Sequence, residues 1–223
     1  MTLAAVILVV TATAGFRHDS IPTAEEVIAR LAPSLGATVT FARTEEEAAS
    51  ALTAESLRDV KVVMFVNTTG ELAAPARDDL LRWIDAGGSF VGVHSASDTW
   101  HEWPGYADML GGEFESHPDQ YVATIDVVDA AHPATALLQS PYAMLEEIYV
   151  LENFDPARVR PLLATDGRTL AWCKPYGAGR VFYTALGHRI DVWESEWFQH
   201  HIAGAMSWAL RRDEIPRRRA ARH

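Results

Sequence analysis

Gly88-Ser89-Phe90-Val91-Gly92-Val93-His94-Ser95-Ala96-Ser97-Asp98 runs from a glycine stop through an unbroken apolar stretch into an imidazole, two hydroxyls and a carboxylate. An apolar run without polar alternation is the pattern of a strand buried on both faces, as in a parallel sheet. Open α/β sheets bind ligands at the carboxyl ends of such strands. His94, Ser95 and Asp98 therefore fall where chemistry is expected. Arg180-Val181-Phe182-Tyr183-Thr184-Ala185-Leu186 repeats the arrangement and runs into Gly187-His188. Two buried strands that each end in histidine point to one shared site.

Outward from that stretch the chain alternates. Val6–Val10 and Val60–Val66 read as further buried strands, and 37–42 alternates as a strand. Residues 23–35 and 75–86 have helical spacing, the first entered through Ile21-Pro22 and the second stopped by Gly87-Gly88. The first half thus reads β-α-β-β-α-β, a parallel, doubly wound arrangement. The second half reads as strands at 121–128, 143–151, 160–164, 169–174 and 179–185, with Pro175–Gly179 as a hairpin turn, and a closing helix at 193–210. The reading is of a single α/β domain over 1–212 and a basic tail over 213–223.

Composition narrows the function. The 223 residues are 48% hydrophobic, enough for a real core, and the formal net charge is −11. That charge argues against nucleic acid, which needs a basic face. Cys173 is the single cysteine, which excludes an internal disulfide framework and fits a reducing, cytoplasmic setting. Leu3–Val10 lacks a basic flank and is too short to span a membrane, so a first strand is the better reading.

Several segments resemble the ThuA-like (trehalose utilisation) family. They are Gly-Phe-Arg-His-Asp-Ser-Ile at 15–21, Gly-Val-His-Ser-Ala-Ser-Asp-Thr at 92–99, Ser-His-Pro at 116–118, Ala-Trp-Cys-Lys-Pro-Tyr-Gly-Ala-Gly-Arg-Val-Phe-Tyr at 171–183 and Leu-Gly-His at 186–188. The resemblance implies the class I glutamine amidotransferase-like fold, a three-layer flavodoxin-like sandwich, mostly parallel with antiparallel strands in the second half. It also implies a role in carbohydrate metabolism on a trehalose-like disaccharide, glycoside or keto-sugar. Those amidotransferases carry a nucleophilic cysteine at a strand–turn–helix elbow, where this chain has His94. Imidazole cannot form the thioester that amidotransfer requires. The expected enzyme is instead a hydrolase, lyase or isomerase of sugars. The alternative is a non-catalytic sugar-binding or regulatory protein on the same fold.

Four loops at the carboxyl edge bring His18, Asn67, His94 with Ser95 and Asp98, and His188; the loop 99–118 adds Trp100, His101, Trp103 and His117. Imidazoles and carboxylates suit general acid–base work near neutral pH. They also suit a zinc- or manganese-like divalent ion. His94, His188 and Asp98 are the catalytic candidates. Asn67, Ser95, Trp100 and His117 are the substrate-binding candidates, and His18, His94 and His188 the metal candidates. His101-Glu102 lacks the second histidine of a zincin helix, and Ser95 lacks the flanking glycines of a nucleophile elbow. Glu146–Phe154 departs from the family pattern and is read as shaping substrate choice. The expected partner is a small sugar, with no nucleic acid or membrane, and a homo-oligomer is compatible with this reading.

Overall fold

The computed structural model describes residues 4–212, so the basic tail expected over 213–223 lies outside the described residues. β1 (Ala5–Val10), α1 (Ile21–Leu31), β2 (Ala37–Ala42), α2 (Glu45–Ala51), β3 (Val60–Val66), α3 (Arg77–Asp85) and β4 (Ser89–Val93) form the first half. α4 (Pro104–Leu110), β5 (Glu113–Ser116), β6 (Tyr121–Val127), β7 (Tyr142–Glu146) and β8 (Val150–Glu152) follow. β9 (Arg160–Thr165), β10 (Arg168–Tyr176), β11 (Gly179–Thr184), α5 (Ile190–Glu194) and α6 (Glu196–Ala209) complete the described chain. The main sheet has the order β2-β1-β3-β4-β11-β10-β9-β6-β7. The pairs from β2 through β11 are parallel, and those from β11 to β7 antiparallel. This is the α/β arrangement expected from the strand pattern, and the three-layer, flavodoxin-like architecture that the family resemblance implies.

Two cores sandwich the sheet. On one face Ile7, Val9, Met64 and Val91 pack with Ile28 of α1 and Trp193, Phe198 and Ile202 of α5 and α6. On the other Leu8, Val63, Phe65 and Phe90 pack with Leu80 and Ile84 of α3 and Met109 of α4. Alternate residues of β1 therefore feed opposite cores, which is why its apolar run is unbroken. β11 lies beside β4 with Thr184 opposite Val93, so both strands end at the same height.

The structure departs from the sequence reading in four places; in one, the segment expected as the loop 99–118 forms α4 and β5. α2 stands between β2 and β3, where no helix was expected. Thr44 caps it by accepting the Glu47 N–H at 3.2 Å, while the Glu47 carboxylate accepts the Arg43 N–H at 2.6 Å. The glutamates at 45–47 sit at the positive end of the helix. The run expected as one strand over 143–151 is divided: β7 stays in the main sheet, and β8 pairs with β5 in a separate two-stranded sheet. The closing helix breaks at Ser195, whose hydroxyl accepts the Phe198 N–H at 3.2 Å and starts α6 afresh. The hairpin at Gly177-Ala178 is as expected, with Gly177 at φ +55°.

Of the two histidines at the start of α6, His201 faces the core. It is fully buried, its Nδ1–H donating to the Ala134 carbonyl at 2.8 Å. Burial lowers its pKa from the ordinary 6.5 to about 4. The unfolded chain therefore binds a proton between those values that the folded chain refuses, so stability is held above pH 6.5 and lost as pH falls toward 4. The expected loss from this residue is roughly 3 kcal/mol. Thermal melts of the natural protein and His201→Gln between pH 7 and 4.5 should show the steeper decline in the natural protein.

Candidate metal and acid–base site

β1, β3, β4 and β11 end side by side, and their following loops bring three imidazoles together. His18 lies beyond β1, His94 directly after β4 and His188 just after β11. Their ring centroids are 4.8 Å apart for His18–His94, 5.0 Å for His18–His188 and 5.1 Å for His94–His188. The three candidates therefore share one cleft.

His94 has φ +52°, a left-handed turn unusual for a residue other than glycine. The turn swings its ring across the strand end. There its Nδ1–H donates to the Ala185 carbonyl at 2.8 Å. A carbonyl only accepts, so Nδ1 carries the proton and the electron pair of Nε2 faces the site. Around that nitrogen lie the Tyr149 hydroxyl, which donates to it at 2.8 Å, His188 Nδ1 at 3.2 Å and Glu147 Oε2 at 3.5 Å. Gly92, two residues earlier, leaves room for this packing: a Cβ there would sit 3.0 Å from the Tyr183 ring and 3.1 Å from Leu110.

Glu146 and Glu147 complete the site, and neither was among the expected site residues. The fully buried Glu146 carboxylate accepts backbone N–H bonds from Glu147 at 2.8 Å, Gly187 at 2.9 Å and His188 at 3.3 Å. Glu147 Oε2 lies 3.3 Å from His188 Nδ1, and Oε1 lies 3.3 Å from His117 Nδ1. Burial pushes the Glu147 carboxyl up, yet the hydrogen bond from His188, with the charge of that ring, holds it well below the usual carboxylate range. The same hydrogen bond raises His188 against its burial. His18 goes the other way. Burial first, with the charge of His188, lowers it to about 3, so it stays neutral.

One ligand atom each from His18, His94, Glu147 and His188 lies within 4.8 Å of the others. Three imidazoles and a carboxylate are donors apt for zinc- or manganese-like ions. The donor set fits, since His94 is already oriented by a backbone carbonyl on its far nitrogen, the usual support of a metal-bound imidazole. The cluster borders two adjoining cavities that share Phe16, His18 and His188. One, of about 370 Å³, is lined also by Asp98, Phe114, His117 and Tyr149. The other, of about 390 Å³, opens toward Asp19, Ile190, Asp191 and Glu194.

The remaining candidates divide. Asp98 and His117 line the smaller cavity. Ser95 is buried, with its hydroxyl 3.5 Å from His18 Nδ1, so it supports that ring. Asn67 is fully buried at φ +53° and spends its amide N–H groups on the Gly187 carbonyl at 3.1 Å and Ser20 Oγ at 3.2 Å. It clamps the loops around the site from beneath. Trp100, expected to meet substrate, is fully buried against Phe65, Trp103 and Tyr106, and its indole N–H donates to the Leu72 carbonyl. Its ring presents no face to the cleft. Trp193 is likewise buried, bonded to the Gly187 carbonyl. The aromatic rings that line the smaller cavity are instead Phe16, Phe114 and Tyr149. Trp100→Ala should lower stability by about 3–5 kcal/mol in urea unfolding. Asp98→Asn, at a partly exposed wall, should change it by less than about 1 kcal/mol.

No curated protein matches the sequence at a significant level. A putative ThuA-like protein from Bacteroides uniformis superposes with a TM-score of 0.73 at 18% identity, covering 92% of this chain and 91% of that one. Another, from Parabacteroides merdae, superposes at 0.74 and 16% identity, covering 92% and 90%. The cytoplasmic protein STM3548 from Salmonella typhimurium superposes at 0.66 and 9% identity, covering 92% and 98%. These likenesses concern the fold. The family model described as trehalose utilisation matches residues 6–209, and the chain belongs to that family, ThuA.

Proposed function

We propose that the protein is an enzyme of carbohydrate metabolism that acts on a glycoside or keto-sugar in the cleft beside His94 and His188, as a hydrolase, lyase or isomerase. The observation that carries this reading is the convergence of His18, His94, Glu147 and His188 within 4.8 Å beside a cavity lined by Phe16, Phe114 and Tyr149. Apolar ring faces next to hydrogen-bonding groups suit the amphipathic faces of a sugar. The family description, trehalose utilisation, supports the substrate class. A small sugar is the partner on this reading, and the setting is cytoplasmic.

His18, His94, Glu147 and His188 would hold a divalent cation. When bound, it would supply Lewis-acid polarisation of a substrate oxygen. The chain's own groups do the rest. Glu146 fixes the backbone at Gly187 and His188, and with it the approach of His188. The Tyr149 hydroxyl is a donor at the site, and burial holds its pKa well above the ordinary value, so it remains protonated. Asp98 and His117, both on the cavity wall, are the groups able to exchange a proton with a substrate hydroxyl.

The test is elemental analysis of the purified protein, then a screen of keto-disaccharides and glycosides, on the natural protein and His94→Ala. The expected result is a stoichiometric divalent metal and sugar turnover in the natural protein, and loss of both in the variant. His94 is fully buried, with its Nδ1 hydrogen-bonded to the Ala185 carbonyl at 2.8 Å. The substitution should cost about 1–3 kcal/mol and leave the protein folded. A protein free of metal that turns over no sugar would refute the proposal.

A further inference from the structure

His94 has one atom with which to hold a cation. Its Nδ1–H is committed to the Ala185 carbonyl at 2.8 Å, which leaves the single electron pair of Nε2. That pair is already engaged, because the Tyr149 hydroxyl donates to it at 2.8 Å. The contact is fixed by packing. Tyr149 is buried, and its ring lies between His94 and Phe114, with centroids 4.5 Å from each. A zinc-like ion on an imidazole nitrogen sits about 2.0–2.1 Å away, along the direction that a hydrogen-bond donor also takes. The hydroxyl and an ion therefore claim the same place. Tyr149 is a poor candidate to join the ligands itself. Burial first, then the neighbouring Tyr183, Glu147, Asp98 and Glu146, keeps its hydroxyl protonated, and an oxygen ligand of this kind has to lose its proton to bind well.

We propose that the Tyr149 hydroxyl and a divalent cation compete for Nε2 of His94, so that Tyr149 weakens the hold on the ion and is released toward substrate when the ion binds. The exchange breaks the Tyr149 O–H···Nε2 bond in favour of the bond from Nε2 to the ion. His94 keeps its Nδ1 proton and Tyr149 its hydroxyl proton. Tyr149 lines the smaller cavity, so a hydroxyl turned away from His94 is left with a donor facing the place where a sugar oxygen would lie. The other three candidate ligands, His18, Glu147 and His188, come from other loops and need no such exchange with Tyr149. Tyr149 thereby couples occupation of the metal group to the supply of a proton donor in the cavity.

The inference rests on the metal reading of the proposed function, and the experiment separates the two. The full chain is stripped with a chelator, and zinc and manganese are titrated against a chromophoric chelator for the natural protein and Tyr149→Phe, with melting temperatures alongside. Phe keeps the ring between His94 and Phe114 and removes only the competing hydroxyl. The expected result is an ion bound about 2- to 10-fold more tightly by the variant, the weight of one net hydrogen bond. In the natural protein, zinc should shift the ¹⁵N resonance of His94 Nε2 while Nδ1 stays protonated. At saturating metal, Tyr149→Phe should turn over the sugar found in the screen with kcat lowered about 10-fold. A natural protein that binds metal beside a variant that binds it equally or more weakly overturns this inference alone. Zinc that binds without moving the His94 Nε2 resonance does the same, whether or not the variant folds. So does a fully loaded variant whose kcat is unchanged. A natural protein that binds neither ion overturns the metal reading and this inference together.

Discussion

Everything at the site hangs on one buried carboxylate. Glu146 ends β7 with no exposure to solvent and gathers three backbone N–H groups, those of Glu147, Gly187 and His188. A buried carboxyl is expensive unless such bonds satisfy it. Burial raises its pKa, and those N–H bonds pull the other way. By holding the turn after β11 against the end of β7, it places His188 beside Glu147 and His94. Gly187, at φ +116°, makes that turn without strain. Its carbonyl receives Ser20, Asn67 and Trp193 on the other side. One peptide unit is thus bonded from four directions.

Two of the six non-glycine residues with positive φ among the described residues lie at the same place. Asn67 and His94, at the ends of neighbouring strands β3 and β4, both adopt left-handed conformations. Such conformations cost on the order of 1–3 kcal/mol each and persist where the surroundings overdetermine them. For Asn67 the determinants are the bonds to Ser20 and Gly187; for His94, the bonds to Ala185 and Tyr149. The outcome is a ring set across the end of its strand. It is not extended along it, so it can meet rings from two other loops.

Much of this was legible in the sequence. Unbroken apolar runs at Val6–Val10, Val60–Val66 and Phe90–Val93 fix central parallel strands, because only a strand covered on both faces tolerates them. Parallel strands deliver their ends to one edge, which is why His18, His94 and His188 could be grouped without a sequence-local metal motif. Glu146 and Glu147 were harder to place, since acids inside a strand-like run read as its solvent face. Here the run bends at Glu147 and turns both carboxyls inward. The signal was the pairing of two acids with the aromatic Tyr149 in a segment that departs from the family pattern. Trp100 misled for the opposite reason: its place in a loop suggests exposure, but the loop folds back and buries the ring. The helix α2 was announced by Thr44 and Glu47, a spacing that apolar periodicity alone does not register.

The parallel pairing of β4 with β11 joins strands whose histidines lie 94 residues apart in the chain. Closing so long a loop comes late in folding, because the entropy of closure is spent before the contacts it brings can form. During synthesis, His18, His94 and Glu147 all emerge before β11 exists to complete the group. The growing chain therefore passes most of its length without an assembled four-residue cluster. Any affinity that depends on that cluster arrives with the carboxyl-terminal strand, which makes the last third of the protein the step that commits it to its chemistry.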